Sequence, residues 1–422
     1  MPRGVDHSDL PHGRRTRAVK LSAMQSADIV VIGAGVVGCS VAWHLATLLP
    51  PAQAARVRVL ERGQIGSGTS AQSSGILRTH YSVRENVELA QRSWPVFERF
   101  TEALDDDEAS AGLVRCGYLI VAPAGVKATA LADALAAQRA RGIEVHTLSP
   151  REAQQRLPIA RFDHDAALIG YEPQAGYADA YLTATSFARA ARRRGVKFLE
   201  GTAARGLRIE GGRVQGVDTD AGFVSAGVVV SVQNIWAHDL QRWTGIGIPL
   251  VAERHRVLAL AGPAPYSAQM PVFKDLASPG MLYARSYGGT QMLVSEGTAG
   301  EVLAVPDTTQ GDVPLDFVAG VGEQVAARFP GWQEAGLASS WTGVYDVTPD
   351  WNPVLGAVPE LPGLVVGFGF SGHGFKLSPA VGCVLAQAAL GLPTDVSLAP
   401  YALARFAQGR PLVGRYGAGA VS

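Results

Sequence analysis

One run constrains the fold more than any other: Asp28-Ile29-Val30-Val31-Ile32, then Gly33-Ala34-Gly35-Val36-Val37-Gly38. A short β-branched run predicts a buried parallel strand. The glycines predict a tight turn, and Cys39 to Leu49 reads as an apolar helix ended by Pro50-Pro51. Val57 to Leu60 reads as the next strand, with Glu61 at its tip. Gly33 permits the turn, Gly35 lets backbone N–H groups approach a pyrophosphate, and Gly38 lets helix and strand pack closely. The N–H groups of this first turn, Val36 and Val37 included, face the anion at the helix N-terminus. Glu61 is placed to accept from a ribose hydroxyl. The spacing to Glu61 is long, which makes Pro50 to Ala55 an enlarged loop. Strand, turn, helix and acid together predict a dinucleotide site.

The residues after Glu61-Arg62 separate two kinds of dinucleotide. A nicotinamide enzyme proceeds soon to another βα unit. Here a small-residue loop intervenes, from Gly63 through Gly66-Ser67-Gly68-Thr69-Ser70 to Gln72-Ser73-Ser74-Gly75-Ile76. Its hydroxyls and backbone can run along an extended cofactor, which favours FAD over NAD. Glycine-rich chain recurs at Gly369 to Gly374, after a strand Leu364–Phe368. Ser378 and Pro379 carry N-cap and first-turn signals, so a helix is expected from there to Gly391. Reduced flavin carries negative charge at its pyrimidine edge. The N–H groups of Gly372, His373, Gly374 and Phe375, a helix N-terminus and the Lys376 cation would stabilise it. His373 has two readings, a proton carrier and a hydrogen-bonded structural histidine.

Composition narrows the function classes. The 422 residues contain 37 Lys+Arg and 37 Asp+Glu, a formal net charge of zero. That argues against a nucleic-acid partner. At 47% hydrophobic and 18% charged, the chain can bury a large core. Cys39, Cys116 and Cys383 are far apart with no CxxC spacing, so neither a metal site nor a disulfide framework is expected. No apolar run reaches the ~18 residues of a membrane span. Arg14-Arg15-Thr16-Arg17 is followed by no apolar stretch, so residues 1–26 read as a disordered tail and Met24 as a second candidate start. The protein is expected to be cytoplasmic.

These motifs resemble the D-amino-acid oxidase superfamily, and within it the sarcosine oxidase-like branch. The resemblance is carried by Gly33-x-Gly35-x-x-Gly38, Glu61-Arg62, Gly66-x-Gly68-Thr69-Ser70, Trp341-x-Gly343, Thr348-Pro349-Asp350 and Gly367 to Lys376. It runs from about Ala27 to about Leu390. It implies a mixed α/β fold: a discontinuous Rossmann-like FAD domain (27–110, 172–237, 337–395) and an inserted antiparallel substrate domain (111–171, 238–336). Residues 396–422 remain as a C-terminal tail. Strands at Gly117–Val121, Arg256–Leu260, Met281–Ala284 and Gln291–Val294 would roof the flavin.

The resemblance also implies site roles. Arg78 matches an arginine that pairs with the substrate carboxylate, and Lys376 a lysine that helps hold it. Ala204 falls where relatives contact the adenine side. His80 and Tyr81 follow Arg78 in strand-like alternation as candidate pocket residues, and Tyr283 and Arg285 are further candidates. Relatives with covalent flavin use a cysteine or histidine where this chain has Thr290 and Gln72, which implies non-covalent FAD. The stretch Arg242 to Leu250 lacks the lysine with which oxidases help oxygen react. The implied reaction is oxidation of a C–N bond in a small amino or N-alkyl amino acid. Three readings stay open: an oxidase using oxygen, a dehydrogenase passing electrons to another acceptor or partner subunit, and a flavin-binding assembly protein. A homo- or hetero-oligomer fits each.

Overall fold

A computed structural model describes residues 26–162, 165–305 and 311–415. The expected N-terminal tail and the Met24 start lie outside the described residues. A six-stranded sheet is ordered Val354–Ala357, Leu364–Phe368, Val228–Ser231, Ile29–Ile32, Val57–Leu60, Lys197–Leu199. Its strands pair in parallel except Val354–Ala357 at the edge. Ile29–Ile32 sits inside it, buried at every residue. Ile29 and Val31 pack into one core and Val30 and Ile32 into another, so the continuous β-branched run serves both faces of the sheet. Burying each such side chain contributes about 1.5–3 kcal/mol.

The first helix is Val36–Leu48, three residues earlier than expected. The last glycines of the turn are already its first turn, because Gly38 packs against the Gly33 carbonyl. Pro50 to Ala55 is not an open loop: Pro51–Ala54 forms a helical turn with proline at its start, where a missing N–H costs nothing. The helix Ala180–Arg193 packs on Val36–Leu48. Its start is fixed by Asp179 Oδ1, which accepts from the N–H groups of Tyr181 (2.8 Å) and Leu182 (2.9 Å).

The second large sheet has nine strands. The expected antiparallel character holds for most pairs, but Tyr118–Ala122 and Val272–Asp275 run parallel, so the sheet is mixed. Val251–Ala261 pairs with both Gly336–Val347 and Gln291–Ser295. Residues 396–415, expected as a tail, are packed against the body: Tyr401 is fully buried and Arg405 is 2% exposed beside Asp350.

Candidate active site

Gly33 has φ +102°, and a Cβ there would lie 2.7 Å from the Val232 carbonyl oxygen. Only glycine makes this turn without strain. The turn delivers the chain to the Gly35 N-cap position, which offers no side-chain cap. Ser70 Oγ instead accepts from Val36 N–H at 3.0 Å. The N–H groups of Val37 and Gly38 belong to the same first turn, which has no intrahelical acceptors. Glu61 is fixed by two backbone donors, Ala34 N–H and Gly63 N–H, both 2.8 Å from its carboxylate. Beside it the Arg62 guanidinium lies 3.6 Å over the Trp236 ring.

A groove runs past these groups. One end is lined by Gly33, Glu61, Arg62, Gly68, Ala204 and Trp236. The other is lined by Val36, Val37, Gly38, Ser73, Ser74, Gly343, Gly372, Gly374 and Phe375. Gly35, Thr69, Ser70, Val232 and Asn234 line both, so the ends are continuous. At this junction a Cβ on Gly35 would come 3.2 Å from Ser70 Oγ, filling the passage. The length, the first-turn N–H groups at the middle and the acid at one end fit an extended dinucleotide.

The inner end is made by a helix that starts earlier than expected. It spans Gly374–Ala389, with His373 at the N-cap position and Pro379 inside. Ser378 is buried mid-helix and its hydroxyl has no partner among the described residues. The Pro379 carbonyl accepts from His44 Nε2 at 2.9 Å. The consequence is local: Gly374, Phe375 and Lys376 form the first turn itself, so its N–H groups meet the groove directly. Asp346, on the same lining, accepts from Gly369 N–H at 2.6 Å, and burial pushes its carboxyl up to about 7.

A second pocket adjoins this end, sharing Ser74, His255, Tyr283, Tyr345 and Gly372 with the groove. Arg78 and Lys376 both line it, as do Ile76, Tyr118 and Lys274. Arg78 is 5% exposed and forms no ion pair among the described residues. Its guanidinium donates to the His80 carbonyl and lies 4.8 Å from the Tyr81 ring and 5.5 Å from the Tyr118 ring. Lys376 donates weakly to the Gly372 carbonyl at 3.5 Å, and burial plus Arg78 hold its ammonium well below the usual lysine range.

Other expected residues sit off the lining. Strand pairing stops at Leu77, and Thr79 to Tyr81 are all buried rather than alternating. His80 Nδ1 contacts Gln138 at 2.9 Å, and Tyr81 packs edge-on to His373. His373 is buried with both ring nitrogens unpartnered among the described residues, and burial, Lys376 and Arg78 hold it well below its ordinary value. Gly75 packs at Ala178, whose N–H its carbonyl accepts at 2.8 Å. Arg285 holds the Ser74 carbonyl at 2.6 Å. Gln72 lines the groove, and its side-chain oxygen accepts from Val344 N–H at 3.2 Å.

Sequence reasoning missed Lys274, His255, Tyr345, Asn234 and Trp236. For Lys274 a signal existed: a charge on the inward phase of the strand Val272–Asp275. Gln233, Asn234 and Trp236 line the outer groove, where Asn234 takes φ +53°.

Residues 28–388 match the family described as FAD dependent oxidoreductase, DAO. The chain is 29% identical over 372 residues to mouse (Mus musculus) mitochondrial sarcosine dehydrogenase, covering 86% of this chain but 39% of that protein, so it spans about four-tenths of that relative. It is 27% identical to sarcosine oxidase subunit beta of Arthrobacter sp, covering 94% of this chain and 95% of the relative. Among solved structures, L-proline dehydrogenase from P. horikoshii superposes with a TM-score of 0.82 at 26% identity, covering 92% of this chain and 99% of that one. With the turn, the groove and a match over most of its length, the chain belongs to the FAD dependent oxidoreductase family.

Proposed function

We propose that this protein oxidises the C–N bond of a small amino acid or N-alkyl amino acid of the sarcosine, glycine or proline kind. One observation carries the reading: Arg78 and Lys376, two buried cations without a carboxylate partner among the described residues, face one pocket that opens onto the inner groove. A buried guanidinium is costly unless a carboxylate arrives to pair with it. The family and the relatives' names support the substrate class.

When bound, FAD would be held along the groove by Gly33 to Gly38, Glu61, Thr69, Ser70 and the Gly374 turn, and would supply the two-electron acceptor. The chain's part is positioning. The Arg78 fork takes the substrate carboxylate bidentately and Lys376 neutralises it from the other side. Tyr118, Tyr283 and Tyr345 exclude water from the carbon that loses its hydrogen with two electrons. An amine entering unprotonated needs no strong base, and the resulting imine takes up water after leaving the pocket. Tyr283, with Tyr118 and Tyr345, is among the lining hydroxyls that can orient the amine; His373, behind the lining and disfavoured as a cation, is not required to carry a proton.

Neither Gln72 nor Thr290 carries a thiol or imidazole that could bond to flavin, so a non-covalent cofactor is expected; acid precipitation that leaves the colour on the protein would overturn this. Electrons pass to oxygen or to another acceptor. The likeness to a sarcosine oxidase beta subunit supports work within an oligomer. No helix among the described residues is long and apolar enough to cross a membrane, and the cytoplasm is the compartment we propose. We propose two domains, one for each large sheet, divided as the sequence suggests except that Gly336–Val347 pairs into the second sheet. Anaerobic titration of the holoprotein with sarcosine, glycine and proline tests the reading, with loss of flavin absorbance expected.

A further inference from the structure

Lys274 is a third cation on the pocket lining, and the carboxylate clamp does not need it. It extends from the strand Val272–Asp275, paired with Tyr283 on one side and Ile120 on the other. Its strand neighbours on that face, Tyr118, Ile120 and Val272, are buried and largely apolar. Lys274 is 5% exposed. An apolar side chain would pack there without the cost of desolvating an ammonium.

No carboxylate among the described residues forms an ion pair with Lys274. The adjacent Asp275 faces away, with Oδ2 held by Arg328 Nε at 2.9 Å and Oδ1 by the N–H groups of Ala277 and Ser278. Glu296, the carboxylate on the lining, accepts from Gln324 Nε2 at 2.8 Å and forms no ion pair with Lys274 among the described residues. Among the described residues Lys274 Nζ makes one hydrogen bond, to the Met281 carbonyl at 2.7 Å, which leaves two of its three donors for a ligand. Gly297 keeps room for it, since any Cβ there would collide with Nζ. Burial, Arg78 and Lys127, opposed by Asp275, bring the ammonium down to about 7. Lys274 reaches the pocket from the sheet; Arg78 and Lys376 reach it from the segment after Leu77 and from the Gly374–Ala389 helix. One carboxylate occupies the latter pair, and a second negative group on the same ligand meets Lys274.

We propose that the substrate is an amino acid with two carboxylates, either on an acidic side chain or on an N-carboxymethyl group, whose second carboxylate pairs with Lys274. This rests on the amino-acid reading above. Two arms test it on the holoprotein. In the first, unreactive acids are titrated and the perturbation of the flavin spectrum is followed: succinate and malonate should bind at least about tenfold more tightly than propanoate and acetate. In the second, the ratio of kcat/KM for aspartate and iminodiacetate over glycine and sarcosine should fall about 100-fold in Lys274→Met. Equal binding of mono- and diacids by the unmodified protein overturns the proposal without needing any variant to fold. A Lys274→Met enzyme in which both substrate classes slow equally also overturns it, and assigns Lys274 to the amine proton instead. If no amine of either class reduces the flavin, the amino-acid reading fails, and the spectral titration still decides whether the pocket prefers diacids.

Discussion

Glu172 Oε1 lies 2.7 Å from both the backbone nitrogen and the hydroxyl of Thr79, and accepts a hydrogen bond from each. Its other oxygen accepts from His80 N–H at 3.0 Å. The segment carrying Arg78 has left its strand, so a carboxylate does what sheet pairing does elsewhere. Glu172→Gln loses one acceptor in this set. Thermal unfolding should show a loss of about 1–3 kcal/mol, and kcat/KM should fall about tenfold as Arg78 loses its aim.

Arg78→Lys tests the clamp more directly. A lysine keeps the charge but lacks the planar fork, so kcat/KM should drop about 100-fold. The flavin content should stay near that of the unmodified protein, because Arg78 lies beyond the groove lining. Loss of the flavin with the activity would remove Arg78 from the substrate role.

Asp346 makes stability depend on pH. Its ordinary value is 3.8, and burial raises it to about 7 in the fold. Between about pH 4 and pH 7 the unfolded chain has lost this proton while the folded chain still holds it. The contribution of Asp346 is therefore fully present below about pH 4, declines as pH rises and levels off above 7. Asp346→Asn should flatten that part of the stability curve, read as melting temperature against pH. An identical curve for both proteins would contradict the assignment.

Asp350 and Arg405 form a two-pronged ion pair, 2.8 and 2.9 Å, with both side chains 2% exposed. Removing one partner strands the other charge in the interior. Arg405→Ala should cost about 3–5 kcal/mol, seen in denaturant unfolding. Residues 399–405 are thus part of the folded body rather than an appendage.

Local pattern and long-range pairing were unequally legible. The strand Ile29–Ile32, the turn and Glu61 could be read because their signals lie side by side in the chain. The resemblance to relatives brought Arg78 and Lys376 together. The helix at Gly374 was misread because Ser378-Pro379 is a strong local start signal, whereas the true start is set by where the glycine loop closes. Lys274, His255 and Tyr345 escaped because their strands meet only through sheet register. His255 stacks on Tyr345 at 4.0 Å across paired strands whose registers no local pattern encodes. Residues 399–405 escaped because their order comes from the distant Asp350.

The central claim is that one buried pocket presents an amino acid to flavin. The direct measurement is anaerobic addition of a panel of mono- and dicarboxylic amino acids to the holoprotein while flavin absorbance is followed. At least one should bleach the flavin within the mixing experiment, and Arg78→Ala should slow that bleaching about 100-fold or more. A flavin that stays oxidised with every amino acid offered would contradict the account.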